Sequence, residues 1–276
     1  MVESVTTGVN KYMKQRIITS ILAGAVFVLF VMIGGLPLIL FTYVLASRAL
    51  YELLRMKKQS VWSVPGLISM ALLWLFLLPE TYESILEEIG YSKIELAYLG
   101  VLLFLTYTVV TKNRYVFNDV AFAILGTIYV GSGFYYLIET RLADDGLVFV
   151  AYALLVIWAT DSGAYFIGRA IGKRKLWPEI SPNKTLEGFI GGIGVAVVFS
   201  IMMQAFFPIM ALWIQLILVT IVLSIFGQVG DLVESALKRH FGVKDSGTIL
   251  PGHGGILDRF DSLLFVLPLL HFLQIV

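Results

Sequence analysis

Cysteine is absent from the 276 residues, so disulfides, thiolate zinc sites and cysteine nucleophiles are excluded, and redox chemistry says nothing about compartment. Charge is the second scarcity. Asp, Glu, Lys and Arg together make up 14% of the chain, against about 25% in an average soluble domain. The 20 basic and 19 acidic residues nearly cancel, to a net charge of +1. That balance excludes a nucleic-acid-binding tail, and the low polarity excludes a disordered chain and an ordinary cytosolic globule.

What the chain has in abundance is apolar sequence, with 58% hydrophobic residues and a mean hydropathy of +0.88. A soluble protein of this size cannot hide so much apolar surface in one core, so lipid is the expected solvent. A membrane helix needs about 20 predominantly apolar residues, and nine runs qualify: 17–35, 36–54, 61–79, 94–111, 116–138, 147–168, 187–207, 211–233 and 258–276. The runs are continuous rather than alternating, which favours helices over barrel strands. The expected fold is all-α, a polytopic integral membrane protein of about nine transmembrane helices. The first run exceeds the roughly 7–15 residues of a signal-peptide core and no A-x-A site follows it, so it reads as a retained span behind loose, polar residues 1–10.

Basic residues sort the loops. One face collects Lys11, Lys14, Arg16, Arg55, Lys57, Lys58, Lys112, Arg114, Arg169, Lys173, Arg174, Lys175, Lys184, Lys238, Arg239, Lys244 and Arg259, which is 17 of the 20. Positive loops stay cytoplasmic, so the N-terminus is expected inside and the C-terminus outside, in the cell membrane. On the outer face, residues 80–93 read either as a solvated loop or as a short amphipathic helix with Tyr82, Ile85, Leu86 and Ile89 inward.

Residues 1–16 read as a cytoplasmic segment, 17–145 as a helical scaffold and 146–276 as the region that carries chemistry. In the scaffold, Arg48 and Glu52 stand at i, i+4 and read as a local pair. Asp119 reads as a cap, and Gly131 and Gly133 as points of close packing. In the second half Asp161, Glu187, Asp231, Glu234, Asp258 and Asp261 lie in or beside apolar spans. An ionisable group at the centre of a span costs at least about 2.5 kcal/mol, so each is a candidate for function. All six fall near the basic face. An ion pathway would scatter carboxylates through the bilayer, whereas this pattern describes a site at the membrane surface.

Asp258 and Asp261 are three residues apart and share a helix face, and Asp231 lies at matching depth. Three carboxylates from two helices make a hard-oxygen site suited to Mg2+, as one ion or with a second cation. The alternative for Asp258 is a helix cap. Around the carboxylates, Lys238, Arg239, Lys244, His253 and Arg259 supply cationic groups, while Gly247, Gly252, Gly254 and Gly255 allow backbone N–H groups to approach a phosphate. His253 is equally well read as a structural hydrogen-bonding residue. In the loop 169–187, Pro178 and Pro182 break any helix. There Ser181, Asn183 and Lys184 read as a phosphate or head-group cradle, with Thr185 or Ser181 as the cap of the next span. Gly188 and Gly192 form a GxxxG pair that serves packing within the protomer or a dimer seam.

The run Ser235-x-Leu237-Lys238-Arg239-x4-Lys244-Asp245-x-Gly247-x2-Leu250-Pro251-x-His253-Gly254-Gly255-Ile256-x-Asp258-Arg259-Phe260-Asp261 resembles the signature of the phosphatidate cytidylyltransferases, or CDP-diacylglycerol synthases. The segments Asp161-Ser162-Gly163-Ala164-Tyr165 and Ser181-Pro182-Asn183-Lys184-Thr185 are similar to further family segments, so the resemblance covers roughly residues 158–261. It implies that CTP and phosphatidate give CDP-diacylglycerol and pyrophosphate with Mg2+, at a cytoplasm-facing site of a membrane protein that is often a homodimer. It also implies metal binding by Asp231, Asp258 and Asp261, and phosphate contacts by Lys238, Arg239, Lys244 and Arg259. His253, Gly254 and Gly255 are expected beside the nucleotide, and Ser181, Asn183, Lys184 and Asp161 beside either substrate. Competing readings are a CTP-dependent kinase acting on a polyprenol-type lipid, an ion-coupled transporter and a non-catalytic scaffold. No nucleic acid is expected as a partner.

Overall fold

In the computed structural model residues 2–250 and 252–276 are described, with side chains described from Ile18 onward except Glu87. Pro251 and the side chains of Lys11, Lys14 and Arg16 therefore lie outside the described residues. The chain runs α1 (Val2–Ile33), α2 (Gly35–Met56), α3 (Val64–Phe76), a 3-10 turn (Glu80–Tyr82), α4 (Ser84–Glu88), α5 (Lys93–Val110), α6 (Phe117–Leu142) and α7 (Gly146–Ile171). A hairpin follows, β1 (Lys175–Trp177) and β2 (Ser181–Thr185), then α8 (Leu186–Phe206), α9 (Trp213–His240), α10 (Leu257–Phe260) and α11 (Leu263–Phe272).

The protein is an all-α polytopic membrane protein, and the nine expected apolar runs overlap helices without each forming a full-length one. Among the described residues six helices, α2 and α5 to α9, are long and apolar enough to cross a membrane, or seven if α3 and the bent segment after it make one span. α3 is shorter and turns through 97° into the segment Glu80–Leu86. The reason is local: Pro79 lacks an N–H and adopts extended backbone, so the helix stops before it. The ninth run also divides, into α10 and α11, where the Asp261 side chain accepts the Ser262 N–H at 2.7 Å. The stretch 2–10, read as loose, is helical backbone continuous with α1. Residues 80–93, read as either a solvated loop or a short amphipathic helix, form the 3-10 turn and the five-residue α4 before α5, with Tyr82, Ile85 and Ile89 at the protein surface and Leu86 half-buried.

The core gathers Leu50, Leu53, Phe134, Leu137, Val156, Leu223, Val266 and Leu267, all essentially unexposed, from α2, α6, α7, α9 and α11. Between α7 and α8 the packing is closest. A Cβ added at Gly188 would lie 2.7 Å from the Ala164 carbonyl oxygen, and one at Gly192 2.6 Å from that of Thr160. The GxxxG pair is thus spent inside the protomer, where small residues let helix backbones meet in lipid. Gly131 faces Phe76 and Gly133 faces Leu264 in the same way. Hydroxyl pairs join α7 to α9, Tyr152 with Thr220 at 2.7 Å and Thr160 with Ser224 at 2.8 Å.

Among the described residues, several members of the predicted basic face meet at one end of the bundle. Lys57 near the end of α2 pairs with Asp119 at the start of α6 at 2.7 Å. Asp119 also accepts the Val116 N–H at 3.0 Å, so its reading as a cap holds. Arg239 at the end of α9 reaches the Ile180 carbonyl oxygen of the hairpin at 3.4 Å. At α8 the cap is Thr185, whose hydroxyl accepts the Gly188 N–H at 3.1 Å.

Candidate active site

The centre of this end is Lys238. It lies near the end of α9, one helical turn after Glu234, and its Nζ stands 2.5 Å from Glu234 Oε2 and 2.6 Å from Asp258 Oδ1. The three side chains are 13%, 1% and 6% exposed, so an ammonium is held between two carboxylates away from bulk water. Glu234 Oε1 is buried without a hydrogen-bond partner. The second oxygen of Asp258 accepts three donors, the Ser246 N–H, the Ser246 hydroxyl and the Gly255 N–H, each at 2.8 Å. Asp258 therefore acts as the clasp of its own loop as well as a partner of Lys238.

Beside this clasp stands a second acidic group. Asp231 Oδ2 pairs with Lys184 at 2.5 Å, while its Oδ1 accepts the Ser235 hydroxyl at 3.3 Å. Asp161 on α7 and Asp261 at the α10–α11 junction are near enough to Asp231, and to each other, to interact electrostatically, and Lys184 and Arg259 both act on Asp161. Gly230 makes this possible, since a Cβ there would lie 2.6 Å from the Asp261 carbonyl oxygen. Carboxylates from α7, α9 and the α10–α11 junction thus meet cations from the hairpin and α10. Among the described residues no three acidic or histidine side chains converge at coordination distance. Asp231 and Asp258 are each paired with an ammonium group instead.

The glycines make room for carboxylates of the protein itself. The Gly255 N–H is donated to Asp258 rather than left open for a phosphate. A Cβ at Gly254, where φ is +82°, would overlap Asp258. A Cβ at Gly255 or Gly247 would collide with the Glu52 carboxylate. The loop is glycine-rich because it wraps two carboxylates of its own protein. His253 Nε2 meets the Ser20 hydroxyl of α1 at 2.6 Å, while Nδ1 is buried without a partner. Glu187 closes the hairpin by accepting the Lys173 and Arg174 N–H groups.

Ser181, Asn183 and Lys184 lie on β2, which pairs antiparallel with β1, rather than at a bare helix N-terminus. Pro178 between the strands turns the chain, and Asn183 is left exposed. Arg239, Lys244 and Arg259 are also exposed at this end, Arg239 while holding the Ile180 carbonyl oxygen. The residue that sequence reading missed is Glu52. Its pairing with Arg48 is present, Nε to Oε1 at 3.1 Å. The fully buried Oε2 also accepts the Ser246 hydroxyl and the Leu257 N–H, each at 3.1 Å. A carboxylate inside an apolar run was the available signal. Its distant partners were not visible.

The family model described as "Cytidylyltransferase family" matches residues 14–276. The chain belongs to this family. It is 58% identical over 262 residues to the phosphatidate cytidylyltransferase of Bacillus subtilis (strain 168), covering 95% of this chain and 97% of that one. It is 52% identical over 264 residues to the phosphatidate cytidylyltransferase of Staphylococcus saprophyticus, covering 95% and 99%. A Staphylococcus aureus (strain COL) protein of the same name is 51% identical over 265 residues, again at 95% and 99%. The match extends through α1 to α6, well beyond the segments that carried the resemblance, and it makes the protein a nucleotidyltransferase.

Proposed function

We propose that this chain transfers the cytidylyl group of CTP to phosphatidate, giving CDP-diacylglycerol and pyrophosphate for phospholipid synthesis, at the basic end of the bundle facing the cytoplasm. The observation that carries the reading is the Lys238 clasp. An ammonium held by Glu234 and Asp258 lies inside the signature of a cytidylyltransferase, at one end of a membrane bundle. There a water-soluble nucleotide and a lipid head group can reach the same side chains.

A phosphate oxygen of phosphatidate attacks the α-phosphorus of CTP. The new P–O bond forms as the bond to the bridging oxygen of the β-phosphate breaks, and pyrophosphate leaves with that electron pair. Phosphomonoesters have a second pKa of about 6, so the lipid supplies an ionised nucleophile and no strong general base is needed. The obstacle is the repulsion of two anions. Lys238, Arg239, Lys244 and Arg259, with Lys184, hold the phosphates and neutralise charge that grows on the leaving group. Ser181 and Asn183 of β2 donate to the lipid phosphate or the nucleotide.

Asp231, Asp258 and Asp261, with Asp161 beside them, fit a hard cation in donor chemistry. Ammonium groups already sit on Asp231 Oδ2 and Asp258 Oδ1, and Asp258 would engage through Oδ1 because its other oxygen serves three donors. When bound, Mg2+ would offset the charge of the triphosphate. The homodimer belongs to this reading too, with its interface away from the α7–α8 seam.

The test uses purified full-length protein in detergent with phosphatidate and labelled CTP. The expected products are labelled CDP-diacylglycerol and pyrophosphate, lost on chelation and restored by Mg2+. Formation of CDP and a phosphorylated lipid alcohol would point to the kinase instead. A single cysteine placed next to Asp231 in this cysteine-free chain should label from the cytoplasmic side alone. Labelling from outside would favour transport.

A further inference from the structure

We propose that Glu52, a carboxylate of the N-terminal half, is a positioning residue for cytidylyl transfer, setting the Lys238 ammonium through Ser246 and Asp258. The inference rests on the functional reading above.

Glu52 is unexposed in α2, a helix that carries no part of the signature. An acid needed only for local balance would be satisfied by Arg48, which takes Oε1. The other oxygen turns outward from its own helix and accepts two donors from the signature loop, one on each side of the glycine turn. They are the Ser246 hydroxyl, 194 residues away, and the Leu257 N–H, 205 residues away. The turn between those donors is shaped to this carboxylate, because a side chain at Gly247 or Gly255 would overlap it.

Ser246 is the link. Its hydroxyl lies 3.1 Å from Glu52 Oε2 and 2.8 Å from Asp258 Oδ2, and its own N–H holds that same Asp258 oxygen. A hydroxyl has one hydrogen and here faces two carboxylates, so a change at Glu52 is felt at Asp258 through a single atom. Asp258 Oδ1 in turn holds Lys238, whose other partner is Glu234. A continuous path, Arg48–Glu52–Ser246–Asp258–Lys238–Glu234, therefore crosses from α2 to α9. Its members are buried or half-buried, and its one flexible ammonium has no freedom left except where the two carboxylates allow it. A side chain that must meet developing charge gains from such prior placement, because the reorganisation is complete before the substrate arrives. Glu52 touches no reacting atom, so its effect is expected in turnover more than in CTP affinity.

The experiment measures kcat, KM for CTP and the thermal midpoint of the full-length protein in phosphatidate-containing micelles. It compares wild type, Glu52→Gln, Ser246→Ala and the double variant. Glutamine keeps the shape, removes the charge and has one acceptor oxygen where glutamate has two, so its NH2 must face either Arg48 or the Ser246 and Leu257 donors, and the paired acceptor that links them is lost. Each single variant should lose about tenfold or more in kcat, with KM for CTP within about threefold of wild type. The double variant should be no slower than the worse single one, since both cut the same path. A wild-type kcat in either folded single variant, or losses that multiply in the double variant, would overturn the proposal. If Glu52→Gln does not fold, Ser246→Ala decides alone by the same kcat criterion. Failure of the wild-type protein to form CDP-diacylglycerol would overturn the functional reading itself, and this proposal with it. A variant running at the wild-type rate overturns only the role of Glu52.

Discussion

At the end of the bundle opposite the candidate site, Arg141 donates to the carbonyl oxygens of Val31 at 2.7 Å and Met32 at 3.3 Å, closing the end of α1. Lys93 caps the Leu78 carbonyl at 2.5 Å and pairs with Glu83, and Glu139 accepts the Glu80 N–H at 3.0 Å. Each of these charges ties down a chain turn, and the backbone supplies most of the partners. At the basic end Asp119, Glu187 and Arg239 likewise hold backbone groups, but the charges at its centre hold one another. Lys238 is shared by Glu234 and Asp258, Lys184 sits on Asp231, and Glu52 and Asp258 share one hydroxyl. Arg239, Lys244 and Arg259 stand exposed beside them. Charge that finishes helix ends leaves little for a ligand. Charge that balances charge can exchange an internal partner for an external one, which is what a site for anionic substrates requires.

The sharpest way to break the comparison is at Lys238. Lys238→Met should lower the cytidylyl-transfer rate by about a thousandfold. It should also destabilise the protein by about 3 kcal/mol, because two buried carboxylates lose their counter-charge. Radiochemical turnover and thermal unfolding in detergent check the two effects, and a loss under about tenfold in rate would remove Lys238 from the centre of the site. Next in size is Gly255→Ala. The added methyl overlaps Glu52 and Ser246, so a loss of about 2 kcal/mol in stability is expected, with a fall in kcat larger than any change in KM. An unchanged midpoint would mean that the loop does not close on Glu52.

At the opposite end Arg141→Ala should cost about 1 kcal/mol through two lost hydrogen bonds, with kcat within about twofold of wild type. A large loss of turnover there would erase the distinction between the ends.

Much of the fold was legible because most hydrophobic runs coincide with helices in lipid, where every backbone polar group must be satisfied within the segment. The exceptions have local causes: Pro79 ends α3, and Asp261 interrupts the ninth run by taking the Ser262 amide. The β1–β2 hairpin was hidden because its strands are short and polar and Pro178 and Pro182 read as loop signals. In the site, Lys238, Asp231, Asp258 and Asp261 stood out as charges in apolar surroundings. Glu52 was just as visible, but the adjacent Arg48 supplied a sufficient local explanation. The glycines pointed to close approach. What approaches them, Glu52 and Asp258, comes from hydrogen bonds that no spacing rule contains.

By itself the sequence determined the solvent, the helical class and the family. All three follow from which residues are apolar, how long their runs are and which signature they carry. The tertiary structure alone decided who neutralises whom. Coulomb and hydrogen-bond partners depend on distances of a few ångströms between segments up to 205 residues apart, and those distances exist only once α2, α9 and the signature loop have packed together.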